Sequence, residues 1–399
     1  MKGPLSGVRV IDASEVISGP LATMILADQG ADVIKVETPR HGDESRQPAN
    51  YRAGMTGLYA NTNQNKRSIA LNLKSDDGLA VFLELIRGAD VFVQNWRPGA
   101  AERLGVGESE LRAVNPKLIY TSISGFGETG PYADRPGYDP IFQALTGYVT
   151  AQTNPEMPLP DLMRNSIVDK ATSQTVAQAI TAALFARERG EAPQHVRVAM
   201  LDVGLAFFWT DGMLRHTLVG DDVKRFVVPG ERYQLMDTAD GKLVIWMNRG
   251  DHQRAALRAV GRADVADEPR HRGMEMQKLE NEEERDRLTR QGLAKLTTEE
   301  AYARLLAEEV PAAPALTHEQ VLEDPQLRHN GAILEARDER YGDYRRPRPP
   351  ARFSSFPYQH ERHPALFAEH TDEILRELGY DASRIAALRR GGALETPRR

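Results

Sequence analysis

The 399-residue chain contains no cysteine. That absence excludes disulfides, thiolate metal ligation and a cysteine nucleophile together. No apolar run approaches the roughly 20 residues a membrane-spanning helix needs, so no membrane partner is expected. A basic excess is missing too. Lys and Arg number 51 against 57 Asp and Glu, a formal net charge of −6, so broad attraction to nucleic acid or an acidic lipid surface is not indicated. The opening stretch, Met1 to Ser14, has one Lys and no apolar h-region. It does not read as a secretory signal, and a cytoplasmic protein is expected. Neither a GxxxxGK[ST] nor a GxGxxG loop is present, which leaves a nucleotide-phosphate cradle of those kinds unsupported. HExxH and paired-histidine spacings are lacking as well, so no metal site is expected. His41, His252 and His370 stand isolated, with surface or structural roles as the default.

What is present is an ordinary globular composition, 41% hydrophobic and 27% charged. It is spread over a length that suggests two domains. The β-branched run Val8 to Asp12 predicts a strand. A loop with Gly19-Pro20 follows, then a helix over Leu21 to Gln29 ended by Gly30, and a second strand over Ala31 to Glu37. Strand, helix and strand within about 30 residues make a right-handed βαβ unit. The rhythm continues with strands at Ser68 to Asn72, Ala89 to Gln94 and Leu118 to Ser122. Helices are predicted at Asp76 to Arg87 and Glu108 to Val114, and a long Ala-rich helix at Ile167 to Arg187. The pattern predicts an α/β fold with an open, mostly parallel sheet covered by helices.

Beyond about residue 225 the composition shifts. Tyr233 to Trp246 predicts a hairpin turning at Asp240-Gly241. Lys278 to Arg290 reads as a solvated helix face. Val310 to Pro314 reads as a loop, and the Pro/Arg-rich tail after Leu316 as irregular until a closing helix, His370 to Leu378. The division expected is 1–224 for the first part of a large domain, 225–320 for a smaller α+β domain, and 321–399 for a linker that returns to the large domain.

In open α/β sheets, ligands bind beyond the carboxyl ends of the strands. The loops expected there are Glu15 to Pro20, Pro39 to Asp43, Asn95 to Gly99 and Ser124 to Pro131. Lys66, Arg67, Lys74, Arg97 and Arg103 could form a basic rim for an anionic ligand, or be solvated surface charge. Asp169 stands where a loop enters a helix. Its position alone favours a helix cap over a carboxylate nucleophile in an apolar pocket. Asp139, in Pro136-Gly-Tyr-Asp-Pro140, reads as a turn residue.

An ordered set of short segments resembles the class III CoA-transferase family of CaiB/BaiF type. They are Pro4-Leu-Ser-Gly-Val-Arg-Val-Ile-Asp12, Ser18-Gly-Pro20, Gly30-Ala-Asp-Val-Ile-Lys-Val-Glu37, Gly42-Asp43, Asn65-Lys-Arg-Ser68, Asn95-Trp-Arg-Pro-Gly99, Ser122-Ile-Ser-Gly-Phe-Gly127, Gly130-Pro131, Gly137-Tyr-Asp139 and Glu369 to Gly379. Each is weak singly. Their order along nearly the whole chain is specific.

The resemblance implies a large Rossmann-like domain, a small domain and an interlocked homodimer. The implied activity moves coenzyme A from an acyl-CoA donor to a carboxylic acid acceptor, with CoA as substrate and no permanently bound cofactor. It aligns the family's catalytic aspartate with Asp169. CoA contacts carry over to Val16, Ile17, Arg40, Leu71, Asn72, Leu73, Lys74, Asn95, Trp96, Arg97, Arg103, Pro136, Gly137, Tyr138 and Asp139. The implied chemistry runs through an aspartyl mixed anhydride and an aspartyl-CoA thioester.

Two departures stand out. Formyl-CoA transferases carry a side-chain amide where this chain has Ile17, and their glycine-rich small-domain loop is replaced by Met247-Asn-Arg-Gly-Asp251. Related α-methylacyl-CoA racemases use a His–Asp pair as acid and base, and at the histidine position this chain has Tyr138, a poor base at neutral pH. A racemase and a non-catalytic CoA-binding homologue are the rival readings.

Overall fold

The computed structural model describes residues 3–47, 50–152, 161–224, 233, 235–247, 249–273, 279–358 and 362–395. The chain divides into two compact units, 1–213 with 331–399, and 214–330.

The first unit is built on six strands: β1 (Arg9–Asp12), β2 (Asp32–Glu37), β3 (Arg67–Ala70), β4 (Val91–Gln94), β5 (Ile119–Ser124) and β6 (His195–Ala199). Their spatial order is β3-β2-β1-β4-β5-β6, and every neighbouring pair is parallel. The sheet is therefore wholly parallel, where a mostly parallel one is predicted. Strand order reverses between β1 and β4, the switch point at which doubly wound sheets open a ligand crevice. Buried on both faces, these strands read as near-continuous apolar runs. The buried exceptions are Asp12, Lys35, Glu37 and Arg67, charged residues inside the sheet.

The helices that position the site are α1 (Ser18–Asp28), α2 (Asp76–Arg87), α3 (Glu108–Val114), α4 (Asp139–Leu145), α5 (Ile167–Glu188) and α6 (Met200–Gly212). In α2 the Ser75 side chain accepts from Gly78 N, and Asp76 and Asp77 fill the first turn, a well-signalled helix start. Helix α5 buries Val168, Ala171, Thr172, Val176, Ala177, Ile180, Ala183 and Leu184. That three-and-four spacing packs its stripe against α1, in one core with Ala22, Leu26 and Ala27. Small side chains let the two helices approach closely.

Helix α1 begins three residues before its predicted start. Gly19 and Pro20 lie in its first turn, not in a loop. Proline is tolerated there because its missing N–H would have no intrahelical partner. The shift matters because it carries a helix N-terminus into the site.

Residues 331–399 also correct the irregular tail. Ile333–Asp338 and Gly342–Pro347 pair as an antiparallel hairpin, and Ala382–Arg390 is a second closing helix. Arginine-rich composition hides the alternation, yet Arg346 is buried and paired with Asp28 at 3.0 Å.

In the second unit, Leu235–Asp237 and Lys242–Ile245 form the predicted hairpin. Ala312–Pro314, predicted as loop, adds a third strand, since proline fits an edge strand that needs no further donor. Helices Gly250–Ala259, Leu279–Leu293 and Thr298–Ala307 are its longest, and the unit spans 214–330 where 225–320 is expected. Lys278 and Asn248 lie outside the described residues. Among the described residues no helix is long and apolar enough to cross a membrane.

Candidate active site

A cleft of about 1060 Å³ opens at the carboxyl ends of the strands of the first unit, large against the ~300–1,000 Å³ typical of small-ligand sites. Each strand's following loop contributes a wall segment. Val16 and Ile17 come from beyond β1, Arg40 from beyond β2, and Leu71, Asn72, Leu73 and Lys74 from beyond β3. Asn95, Trp96, Arg97 and Arg103 follow β4, Pro136, Gly137 and Tyr138 precede α4, and Asp169 enters from α5. The fold thus brings into one cleft Asp169 and all the CoA-contact residues implied by the resemblance except Asp139.

Asp139 is 3% exposed and points away from the cleft wall. Its Oδ2 accepts from the backbone N–H of Asp169 at 2.9 Å, and its Oδ1 from Gln143 Nε2 at 2.5 Å. Gln143 also reaches the carbonyls of Met163 and Asn165. Asp139 therefore holds the first turn of α5 in place. The backbone N–H groups of a helix start need acceptors, and here a distant aspartate serves Asp169 N. That frees the Asp169 carboxylate from capping its own helix.

Instead the carboxylate faces α1, where the Ser18 hydroxyl and backbone N–H are directed at it. Helix α1 has no side-chain cap at Ile17, so its first N–H groups remain available to an anion. Asp169 forms no ion pair among the described residues. Burial, then the neighbouring Asp139 charge, pushes its carboxyl up to about 7, against the opposing Ser18 hydrogen bonds.

Beneath the loop after β1 lies a different arrangement. Asp12 is fully buried; its Oδ2 accepts from Lys66 Nζ at 2.9 Å and Thr23 Oγ1 at 2.7 Å. Lys35, equally buried, pairs with Asp43 at 2.6 Å, and Arg46 pairs with Glu37 at 2.6 Å. Burial opposes ionisation of Asp12, but Lys35 and Lys66 outweigh it and hold its carboxyl below the usual range. Three anions face three cations, so the cluster is neutral. This corrects the proposed rim: Lys66 and Arg67 are interior. Arg67 is 3% exposed and paired with Asp32 and Glu377 at 2.7 Å each. The remaining cations, Lys74, Arg97 and Arg103, are exposed and make no ion pair among the described residues.

Residues missed from sequence also line the cleft. Glu15 is one, its carboxyl raised by burial and by Asp43. Arg135, stacked on Tyr132 at 3.7 Å, and Arg389 and Glu395 from the tail are others. No local signal marks the tail residues, which arrive only when the chain returns to the sheet. Asn95 pins the loop after β1 from both sides, accepting from Glu15 N and donating to Glu15 O, each at 2.8 Å.

A doubly wound parallel sheet with a crevice at its switch point is the ligand-binding arrangement of open α/β folds, and here a half-buried carboxylate with no ion pair among the described residues lies in its wall. The family model described as CoA-transferase family III matches residues 5–371, and the chain belongs to that family. It is 33% identical to the succinate–glutarate CoA-transferase of Agrobacterium fabrum, over 94% of this chain and 96% of that protein. It is likewise 33% identical to the acetyl-CoA:oxalate CoA-transferase of Acetobacter aceti, over 90% and 92%. A solved CAIB/BAIF family protein from Brucella suis superposes with a TM-score of 0.81 at 28% identity, covering 95% of this chain and all of that one. The chain is a CoA-transferase.

Proposed function

We propose that the enzyme transfers CoA from an acyl-CoA to a free carboxylic acid through covalent intermediates on Asp169. The observation that carries this reading is a half-buried carboxylate in the cleft wall that makes no ion pair among the described residues and is faced by the Ser18 hydroxyl and N–H. The Ser18 donors and the Lys170 charge favour its ionised form, but burial and the Asp139 charge outweigh them, which leaves a carboxylate more basic than an exposed one.

Asp169 attacks the thioester carbon, and the tetrahedral intermediate expels CoA thiolate to leave a mixed anhydride. The thiolate attacks the aspartyl carbonyl, which releases the donor acid and leaves an aspartyl-CoA thioester. An acceptor carboxylate displaces the thiolate from this thioester, giving a second anhydride. Thiolate attack on the acceptor's carbonyl yields the new acyl-CoA and restores Asp169. Thioester energy is conserved without ATP. In this reading the backbone N–H groups of Ile17 and Ser18, at the start of α1 where no side chain caps the helix, serve the developing oxyanions. They take the place of the amide side chain that Ile17 lacks. Lys74, Arg97 and Arg103 at the open end of the cleft suit the CoA phosphates, Arg by bidentate contact, and Trp96, Leu71 and Leu73 supply apolar wall.

Tyr138 is 61% exposed, which supports transfer over α-proton exchange. A homodimer is part of this reading. Ile141 and Leu145 on α4 and Phe207 and Trp209 on α6 are exposed, apolar surface of the kind that a second copy covers.

The test is a screen of acyl-CoA donors against carboxylic acids, following CoA esters by mass spectrometry. Succinate, glutarate and oxalate are the first acceptors, being the acids named for relatives. Hydroxylamine trapping during turnover should mark Asp169. Deuterium uptake at the α-carbon without any acceptor acid would overturn the reading.

A further inference from the structure

The loop between β1 and α1 carries an anomaly that its cleft position does not explain. Val16 has φ +71°, a left-handed conformation that a β-branched residue rarely adopts. Such backbone persists only where its surroundings over-determine it. Those surroundings are identifiable. The N–H of Val16 donates to Asp43 Oδ1 at 3.0 Å. The same oxygen accepts from Ser45 N at 2.8 Å and Ser45 Oγ at 2.6 Å, while Oδ2 is paired with the buried Lys35. Lys35 also donates to the carbonyl of Ser14, and Asp12 accepts from Ser14 N at 3.0 Å. Backbone groups of Ser14, Glu15 and Val16 are thus each held by a distant side chain, Lys35, Asn95 and Asp43 in turn. Ile17 and Ser18, the next two residues, line the cleft, and the Ser18 N–H is directed at Asp169.

We propose that Asp43, locked by Lys35 and Ser45, is a positioning residue for CoA transfer. It holds Val16 left-handed, and so turns the Ile17 and Ser18 N–H groups toward the carbonyl that reacts with Asp169. Asp43 is fully buried and outside the cleft wall, so it acts through the loop and not by touching substrate. The inference rests on the proposed transferase reading and adds a residue to it. Without the acceptor on residue 43, Val16 relaxes toward negative φ and the donors swing out of line. Glycine adopts positive φ at no steric cost, so a glycine at position 16 lets the loop reach its working geometry without the clamp.

The experiment measures steady-state transfer for wild type, Asp43→Ala, Val16→Gly and the double variant, with thermal unfolding of each. Asp43→Ala should lower kcat 10- to 100-fold and change KM for acyl-CoA less than threefold, because oriented donors act on the transition state more than on the bound substrate. The double variant should recover at least fivefold in kcat over Asp43→Ala, while its unfolding midpoint stays as low. If Asp43→Ala does not fold, Ser45→Ala, which removes one of the aspartate's anchors, should lower kcat two- to fivefold and be rescued in the same way. Unchanged kcat in the folded variant overturns the proposal, as does a loss that Val16→Gly leaves unrepaired. Either result leaves the transferase reading intact when the wild type is active. A wild type inactive with every acid pair defeats that reading and this inference with it.

Discussion

Buried and half-buried carboxylates within the same unit meet opposite fates. At the ends of β1 and β2, Asp12, Glu37 and Asp43 each have a cation at 2.6 to 2.9 Å, and all three are held below the usual carboxylate range. At the start of α5, Asp169 has partial burial and a neighbouring anion and makes no ion pair among the described residues, and its carboxyl rises despite the nearby Lys170 charge. Burial penalises every one of these ions. What separates them is whether the fold returns that cost through a partner. Paired carboxylates hold the structure; the unpaired one is left in a state that chemistry can discharge.

The contrast leads to graded expectations. Asp169→Ala should reduce CoA transfer by about 10³-fold or more, as removal of a covalent nucleophile does, while the protein stays folded. Residual activity close to wild type would make Asp169 another structural carboxylate. Asp12→Ala should do the reverse, costing on the order of 3–5 kcal/mol of stability because it strands buried Lys66. Chemical denaturation reads that loss directly.

Asp169→Asn should be more stable than wild type above pH 7, by on the order of a few kcal/mol. The folded carboxyl titrates near 7 and the unfolded one near ~3.9. Protonation therefore favours the fold below about pH 4, and that advantage fades as pH rises through 7. An unfolding midpoint equal to wild type at pH 8 would mean that ionised Asp169 carries no strain. By the same titration, wild-type kcat/KM should fall about tenfold per pH unit on the acid side of about 7, and a limb near pH 4 would contradict it. The mildest effect belongs to the rim. Arg97→Ala should raise KM for acyl-CoA roughly tenfold, as loss of one charge-assisted hydrogen bond does, with kcat little changed.

The legible features share a physical cause, which is local pattern. Apolar runs such as Val91 to Val93 and the spaced apolar face of α2 are set by neighbours in the chain. The βαβ rhythm and most element bounds of the first unit could therefore be read directly, and the loops after the strands could be assembled into one cleft. Charge was read less well. Lys66 and Arg67 look like surface cations, because nothing adjacent reveals Asp12 or Asp32 opposite them. The prolines around 310–314 suggest a loop, because an edge pairing with Lys242–Ile245 has no local trace. Asp139 was matched to a ligand contact by its motif, whereas it supports the backbone of Asp169.

The order of residues along this chain was enough to specify an alternating α/β unit, its ligand edge and a carboxylate at a helix entrance, since propensity and periodicity act over a few residues. Which carboxylate stays unpaired, which lysines go inside and how Val16 is held depended on contacts between strands and helices far apart in the chain. Ionisation and backbone strain are set by the total field and packing around a group, and those exist once the sheet has closed around it.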